Sequence, residues 1–133
     1  MKKISIVTSC FNEEDNIAIL YNKLKDIIAK LNSRYNFEII FIDNASTDFT
    51  QDELRKIANE DKNVKLILNS RNFGSIKSPY YAICQATGDA IIYLASDLQD
   101  PPELIYYFIE NWEKGCEVVI ARKYDSQKFK FLD

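Results

Sequence analysis

The sequence contains no histidine, and this absence removes several kinds of chemistry from consideration. Imidazole general bases, histidine-based catalytic triads and histidine-ligated metal sites all need a residue that these 133 positions do not contain. Any metal site in this chain therefore has to use other ligands.

Cysteine is scarce, and its spacing is uninformative. Cys10, Cys84 and Cys116 are odd in number, lie far apart and form no Cys-x-x-Cys pair. A disulfide framework or a zinc site is therefore not expected. Reduced thiols in a cytosolic protein are the default interpretation.

Long apolar runs and basic clusters are also missing. No segment approaches the roughly 18 apolar residues that cross a membrane, and Met1–Lys3 leads directly into a strand-like run too short for a signal peptide. A net charge of −3 without a lysine or arginine block argues against a general nucleic-acid binder. The length and the 47% hydrophobic content suit one soluble domain over residues 1–133.

Glycine-rich phosphate loops are absent as well. No Gly-x-Gly-x-x-Gly follows the first predicted strand, and the chain has no Walker loop. A phosphate-bearing ligand would therefore be held through a metal ion and not through a glycine cradle.

The hydrophobic pattern predicts five strands that alternate with helices. The predicted strands are Ile4–Thr8, Glu38–Ile42, Val64–Leu68, Ala90–Ala95 and Glu117–Ala121. This alternation is typical of an α/β fold with a Rossmann-like, mostly parallel sheet and helices on both faces. The polar and basic segment from Arg122 to Asp133 receives no assignment.

Local signals predict where the helices begin and end. A polar side chain can cap a helix whose first residue is proline, and glycine can end one in the left-handed conformation. Gly88 is expected to end the third helix in this way. The expected caps are Asn12, Thr47 or Asp48, Ser78 before Pro79, and Asp100 before Pro101.

An acidic turn directly follows the buried strand Ala90–Ala95. Asp97, Gln99 and Asp100 place three oxygen-bearing side chains at a strand's carboxyl end, where ligands bind in open α/β sheets. Oxygen ligands suit Mg²⁺ or Mn²⁺ bridged to phosphates. A solvated turn that only caps a helix is the alternative.

Other polar loops should open on the same edge of the sheet. Asp43, Arg71 and Asp97 come from separate parts of the sequence and are expected to converge there. The Asp43 carboxylate could accept a hydrogen bond from a uracil or guanine edge, and Phe11 could form an apolar wall beside the base. The sequence therefore predicts a nucleotide site.

Four segments resemble the motifs of inverting family 2 glycosyltransferases, in the family's order. They are Cys10–Glu14 (CFNEE), Ile42–Asp48 (IDNASTD), Ser70–Gly74 (SRNFG) and Asp97–Ile105 (DLQDPPELI). The resemblance covers residues 4 to about 122 and is strongest to the branch of dolichyl-phosphate mannose synthase and bacterial polyprenyl-phosphate glucosyltransferases. It implies a GT-A fold and a UDP- or GDP-sugar donor.

The resemblance also implies roles for individual residues. Asp97 and Gln99 would hold Mg²⁺ or Mn²⁺ on the diphosphate, and Asp97 and Arg122 would be catalytic, with Arg122 meeting the acceptor phosphate. The residues expected around the nucleotide are Ser9, Phe11, Glu13, Asp43, Asn44 and Arg71.

The chain departs from the family's pattern at several positions. Ala95 stands where an acid is usual, two residues before Asp97. Ser9 and Phe11 replace a usual proline and tyrosine, and Ser75–Pro79 differs from the usual segment. The metal site is therefore expected to have one carboxylate fewer.

The acceptor has two candidate classes, and a third hypothesis involves no transfer. A polyprenyl phosphate oxygen is already ionised and needs no general base, whereas a saccharide hydroxyl needs one. The loss of an acid at Ala95 suggests a non-catalytic nucleotide-sugar binding domain. A phospho-receiver domain is disfavoured because Lys77 is in the wrong place for its required lysine.

The family resemblance implies a longer protein. The branch continues with amphipathic and often membrane helices, so this chain is expected to be a domain truncated at its C-terminal end. The complete protein would work in the cytoplasm at the inner face of the membrane. Phe129, Phe131 and Leu132 are expected to begin an interfacial helix or to form a frayed tail.

Overall fold

A computed structural model describes residues 1–123 and 129–132 of the chain. The elements within these ranges are β1 (Lys3–Cys10), α1 (Ile17–Leu31), β2 (Asn36–Asp43), α2 (Thr50–Glu60), β3 (Val64–Leu68), α3 (Gly74–Cys84), β4 (Ala90–Ala95), α4 (Leu104–Glu113), β5 (Ile120–Lys123) and β6 (Phe129–Leu132). They fall into two compact units, residues 1–100 and 101–133.

The first unit contains a parallel four-stranded sheet in the order β3–β2–β1–β4. Ile6 of β1 pairs with Ile39 of β2 on one side and with Ile92 of β4 on the other. Because all four strands run in the same direction, their carboxyl ends meet at one edge. The parallel α/β arrangement predicted from the sequence is confirmed.

The central strands are buried because helices flank the sheet. Val7, Ile40 and Ile42 are inaccessible to solvent and form a cluster with Ala82 of α3. Burying each of these aliphatic side chains contributes about 1.5–3 kcal/mol. The small Ala82 side chain allows α3 to pack close to β1 and β2.

Helix α1 is amphipathic, and its apolar stripe follows helical spacing. Its buried residues recur at intervals of three or four positions, which places them on one face of the helix. They are Ile17, Leu20, Leu24, Ile27 and Leu31.

Glu38 is a buried acid near the amino-terminal end of β2, at the opposite end of the strand from the edge where the carboxyl ends meet. Glu38 is 3% exposed, and its carboxylate accepts hydrogen bonds from the Ser5 hydroxyl at 2.6 Å and from the backbone and hydroxyl of Thr87. Lys65 and Lys3 form ion pairs with it. Burial alone would raise the pKa of Glu38, but the bonds from Lys65, Ser5 and Thr87 outweigh it and lower that pKa to about 2.

Two predicted helix starts at proline were wrong. Helix α3 begins at Gly74, so Pro79 lies inside it; the Asn72 side chain accepts a 2.8 Å hydrogen bond from the Gly74 backbone and so serves the turn where the helix begins. Helix α4 begins at Leu104, because residues 101–103 form a turn in which the Leu104 nitrogen donates to the Pro101 carbonyl.

The predictions for Asn12 and Gly88 were also wrong. Helix α1 begins at Ile17, five residues beyond Asn12, because residues 13–16 first form a turn in which the Asn16 nitrogen donates to the Glu13 carbonyl. Helix α3 ends at Cys84, before Gly88. A Cβ on Gly88 would lie 2.8 Å from the Ser5 backbone nitrogen, so this glycine permits close packing and does not terminate a helix.

The second unit differs from the predicted fifth βα repeat. Its strand β5 covers Ile120–Lys123 instead of Glu117–Ala121 and pairs antiparallel with β6 in a separate two-stranded sheet. Residues Phe129–Leu132 are hydrogen-bonded to β5 as a strand, so they do not begin a helix. Among the described residues, no helix has the length and apolar character needed to cross a membrane.

Candidate nucleotide-binding edge

The loops after β1, β2 and β4 each contain a residue with left-handed backbone geometry. These residues are Asn12 (φ 52°), Ala45 (φ 63°) and Leu98 (φ 64°). Non-glycine residues adopt this conformation at a cost of about 1–3 kcal/mol, and such strain concentrates at functional sites. All three lie at the edge where the carboxyl ends of the strands meet.

Hydrogen bonds join the β1–α1 loop to the β2–α2 loop. The Asn12 backbone donates to the Ser46 hydroxyl at 2.9 Å, and the Asn12 side chain accepts from the Thr47 backbone at 2.9 Å. Glu14 accepts from the Phe49 backbone, also at 2.9 Å. The two loops are therefore one connected structure.

Asp43, predicted to contact a base, is fully buried at the end of β2. Its carboxylate accepts hydrogen bonds from the Ser46 backbone at 2.9 Å, the Ser46 hydroxyl at 2.5 Å and the Gln51 amide at 2.8 Å. An ionised carboxylate has about four lone-pair sites. These bonds hold the loop and leave little capacity for a ligand, so base recognition by Asp43 stays a prediction.

A cavity of about 300 Å³ opens between the loops. From the β1 side it is lined by Ser9, Cys10, Phe11 and Glu13, and Asn44 follows from the end of β2. This volume is at the lower end of the range of small-molecule sites. Four residues predicted from the sequence, Ser9, Phe11, Glu13 and Asn44, thus meet in one cavity.

The opposite walls of the cavity come from β4 and α3. Strand β4 and the turn after it contribute Tyr93, Ala95, Ser96 and Asp97, and the β3–α3 loop and α3 contribute Asn72, Gly74, Ser75, Ser78 and Pro79. The predicted metal ligand Asp97 therefore lies in the wall of the same cavity as the predicted nucleoside contacts.

Tyr93 lines the cavity, although it was not predicted as a site residue from the sequence. Its hydroxyl oxygen lies 2.5 Å from the Ser9 hydroxyl oxygen, so the two share a hydrogen bond at the cavity wall. The alternation of side chains along β4 could have indicated this residue, because Tyr93 and Ala95 are two positions apart and therefore lie on the same face of the strand.

The turn at Asp97 contains fewer carboxylates than a metal site with only protein ligands would need. Asp97 Oδ1 accepts a 3.1 Å bond from the Gln99 backbone, and both side chains are exposed. Among residues 1–122, whose side chains are described, no group of three metal-binding acids or thiols occurs. Mg²⁺ is commonly held by one or two carboxylates together with substrate phosphates. The donors present fit a cation whose remaining ligands come from a diphosphate and water.

Three other predicted residues, Arg71, Gln99 and Arg122, lie elsewhere. Gln99 does not line the cavity. The Arg71 guanidinium stacks over the Phe73 ring at 4.4 Å, beside the cavity residues Asn72 and Gly74. Arg122 is an exposed residue of β5 in the second compact unit.

Cys10 lines the cavity but is not a nucleophile. It is 2% exposed, and burial raises the pKa of its thiol to about 12, although a hydrogen bond with Ser96 acts in the opposite direction. The thiolate form is therefore negligible at neutral pH.

The fold and the edge cavity are those of an α/β protein that binds its ligand at the carboxyl ends of parallel strands. The family model "Glycosyl transferase family 2" matches residues 5–132. The chain belongs to this family.

Bacterial and phage relatives give more detail. The chain is 40% identical over 123 residues to the prophage bactoprenol glucosyl transferase homolog of Escherichia coli K12, covering 92% of this chain and 40% of the relative. It is 36% identical over 123 residues to the bactoprenol glucosyl transferase of Shigella phage SfV, covering 92% and 39%. The chain therefore spans about two fifths of the length of these relatives.

Solved structures support the same fold. The mannosyltransferase PcManGT from Pyrobaculum calidifontis, solved with GDP-Man and Mn²⁺, superposes with a TM-score of 0.71 at 19% identity, over 90% of this chain and 34% of that chain. TarS 1-349 of S. aureus, solved with UDP, gives a TM-score of 0.61 at 28% identity, over 82% of this chain and 32% of that chain. The GT-A fold implied by the sequence is confirmed.

Proposed function

We propose that this chain forms the nucleotide-sugar binding part of an inverting glycosyltransferase that transfers a sugar to a polyprenyl phosphate with the help of Mg²⁺ or Mn²⁺. The observation that carries the proposal is the shared cavity, in which Phe11 and Glu13 after β1 meet Asp97 after β4. An apolar ring suits a base, and a carboxylate suits a cation on the diphosphate.

The acceptor class is inferred from the relatives and from the chemistry of phosphate. Two relatives with 36–40% identity carry the name bactoprenol glucosyl transferase. A phosphate oxygen is ionised at neutral pH and attacks without a general base, which suits a site with no histidine. The acceptor is a membrane lipid, so the complete enzyme would work at a membrane surface, on its cytoplasmic side.

The divalent ion would supply Lewis-acid stabilisation of the departing nucleoside diphosphate. Asp97 would hold it, with Gln99 as the second protein donor. Because the protein offers few ligands here, we expect Mn²⁺ to bind weakly alone and much more tightly together with the nucleotide.

Calorimetry with UDP and GDP, each with and without Mn²⁺, tests the donor site. We expect one nucleotide to bind in a metal-dependent manner and Asp97→Ala to weaken that binding at least tenfold. Asp26→Ala is a matched control, because it removes an exposed carboxylate of α1 that does not line the cavity. Binding that ignores both Mn²⁺ and Asp97 would rule out the metal role, and no binding of either nucleotide would contradict the donor site.

A non-catalytic nucleotide-sugar binding domain is the second candidate, and Ala95 is the observation that favours it. Ala95 lines the cavity at the end of β4, where a carboxylate could face the same ligand as Asp97. In the full-length protein, sugar transfer to a polyprenyl phosphate would exclude this candidate. Donor binding without transfer, combined with a gain of Mn²⁺ affinity in Ala95→Asp, would support it.

Transfer to a saccharide hydroxyl is the third candidate reaction of the full-length protein. Such an acceptor requires a general base. A direct assay that offers both acceptor classes to the full-length enzyme distinguishes this reaction from transfer to a lipid phosphate.

A further inference from the structure

The side chain of Asn44 makes every hydrogen bond that an asparagine amide can make. Its Nδ2 group donates to Asn72 Oδ1 at 2.9 Å and to the Gly74 carbonyl at 3.2 Å. Its Oδ1 accepts from Asn69 Nδ2 at 3.2 Å and from the Phe73 backbone at 2.9 Å. Two donors and two lone pairs are thus all engaged.

Backbone groups fix the orientation of both amides in this network. A backbone N–H can only donate, so the Asn44 atom that faces the Phe73 nitrogen has to be the oxygen. The same argument applies to Asn72, whose Oδ1 accepts from the Gly74 backbone at 2.8 Å. The amides therefore cannot be flipped without placing two donors against each other.

Asn44 is 7% exposed, and every hydrogen-bond partner of its side chain except Asn69 belongs to the stretch 72–74. That stretch supplies the cavity wall residues Asn72 and Gly74. A saturated side chain cannot form a further bond to a ligand without breaking an existing one. Its contacts instead fix the position of the loop.

Asn72 is placed differently from Asn44. It is exposed, lines the cavity, and uses its Oδ1 twice, for the Asn44 amide and the Gly74 backbone. The amide nitrogen, with two hydrogens, is then the group that Asn72 can offer to a ligand. A donor of this kind recognises an acceptor oxygen, which a nucleotide sugar carries on its base, its ribose and its diphosphate.

We propose that Asn44 is a positioning residue that locks the loop 72–74, and that Asn72 is the residue that binds the nucleotide sugar by donating from Nδ2 to an acceptor oxygen. This inference rests on the proposed function for the identity of the ligand. It replaces the expected direct contact of Asn44 and assigns a binding role to Asn72, a residue of the SRNFG motif for which no role was predicted.

Two substitutions separate the two roles. Asn44→Ala removes all four bonds, so we expect the Phe73 and Gly74 amides to exchange with solvent at least tenfold faster in the nucleotide-free protein, together with at least a tenfold loss of nucleotide affinity. Asn72→Asp keeps the acceptor oxygen for Asn44 and Gly74 but removes the donor. We therefore expect those amides to exchange within about threefold of wild type while nucleotide affinity falls at least tenfold.

Hydrogen exchange by NMR and calorimetry with UDP and GDP in the presence of Mn²⁺ provide the two readouts. Asn36→Asp is the matched control, because it makes the same chemical change at the exposed start of β2, away from this cavity; it should change neither readout. If Asn44→Ala fails to fold, Asn44→Asp replaces it. That variant keeps the acceptor for Phe73 and loses both donors, so the exchange of Gly74 should still accelerate.

If Asn44→Ala loses nucleotide affinity while the amide exchange of Phe73 and Gly74 is unchanged, Asn44 contacts the ligand directly. This result would overturn the positioning role. Wild-type affinity in Asn72→Asp would overturn the donor role. Comparison of the bound nucleotide with its nucleoside distinguishes a diphosphate oxygen from an oxygen of the base or ribose. If the wild type binds neither nucleotide, the proposed function and the ligand contact both fail, while the exchange data still decide whether Asn44 holds the loop.

Discussion

Lys65 Nζ lies 2.6 Å from Glu38 Oε2, so an ammonium group that is half exposed on β3 covers a carboxylate that is buried in β2. Ser5 and Thr87 complete the set of donors around the same acid. Glu38 therefore links β1, β2, β3 and the segment that precedes β4.

Protonation of Glu38 should destabilise the fold in acid. Its folded pKa of about 2 lies below its ordinary value of 4.5, so its contribution is fully present above about pH 4.5 and is lost as the pH falls toward 2. We expect Glu38→Gln to lower the free energy of unfolding by about 1.5–3 kcal/mol at pH 7 and to flatten its pH dependence below pH 4.5. Urea unfolding at a series of pH values measures this, with the exposed, lysine-paired Glu110→Gln as the control. Parallel pH profiles for wild type and Glu38→Gln would contradict the assignment.

Gly88→Ala should destabilise the sheet through overpacking. The added Cβ would lie 2.6 Å from the Ser5 hydroxyl, 2.8 Å from the Ser5 backbone nitrogen and 2.9 Å from the Ala90 carbonyl. Two of these atoms belong to the backbone and cannot rotate away, so we expect a loss of about 1–3 kcal/mol. Thermal unfolding beside Gln85→Ala, an exposed neighbour, measures the difference. An unchanged midpoint would show that β1 and β4 can separate at little cost.

Asn12 should be sensitive to both backbone geometry and side-chain bonding. Asn12→Ala places an ordinary residue at φ 52° and removes the acceptor for the Thr47 backbone. Asn12→Gly tolerates the left-handed backbone but also lacks the acceptor for Thr47. Stability should therefore fall in the order Asn, Gly, Ala, and the alanine variant should lose about 1–2 kcal/mol. Chemical unfolding of both variants tests the order, and Asn59→Ala on the exposed face of α2 provides the baseline. Equal stability of the alanine and glycine variants would show that the left-handed backbone at this position carries no cost.

The cysteines should differ in reactivity toward a thiol reagent. Cys84 is exposed and should be modified within minutes in the native protein, whereas Cys10 is buried with a thiol pKa of about 12 and should react only after unfolding. Colorimetric thiol titration of wild type, Cys84→Ser and Cys10→Ser assigns each reaction. Rapid modification that disappears in Cys10→Ser would show that the cavity opens to the reagent.

The sheet was predictable because its strands are short β-branched runs between polar loops. Val64–Leu68 and Ala90–Ala95 were predicted with their observed bounds. The strands β1 and β2 are longer than predicted, because their pairing with each other extends them to Cys10 and Asp43. Such extension depends on partners that are distant in sequence.

The helix starts were less predictable, because proline and glycine have several possible roles. Pro79 was assigned to the first position of a helix but lies in its interior, since the helix begins at Gly74, whose backbone nitrogen donates to the Asn72 side chain. Gly88 was assigned to a helix end, but its role depends on its distance from Ser5. Neither the turn that starts α3 at Gly74 nor the close contact of Gly88 with Ser5 is visible in a local sequence pattern.

The candidate site was predicted in part. The resemblance located Phe11, Glu13 and Asp97, which line one cavity. It could not show that the hydrogen-bonding capacity of Asn44 is saturated, because that depends on a loop some thirty positions away in the sequence. The contacts of Asp43 with Gln51 could not be read from the motif either.

The order of the strands has a consequence for how the chain acquires its structure during synthesis. Strand β1 is made first but lies inside the sheet, and its second neighbour is β4, where Ile4 pairs with Ala90. A ribosome therefore has to deliver almost the whole first unit before β1 has both neighbours. Contacts that join such distant positions slow folding, and β1, whose burial depends on both neighbours, keeps one unpaired side in the nascent chain until β4 emerges.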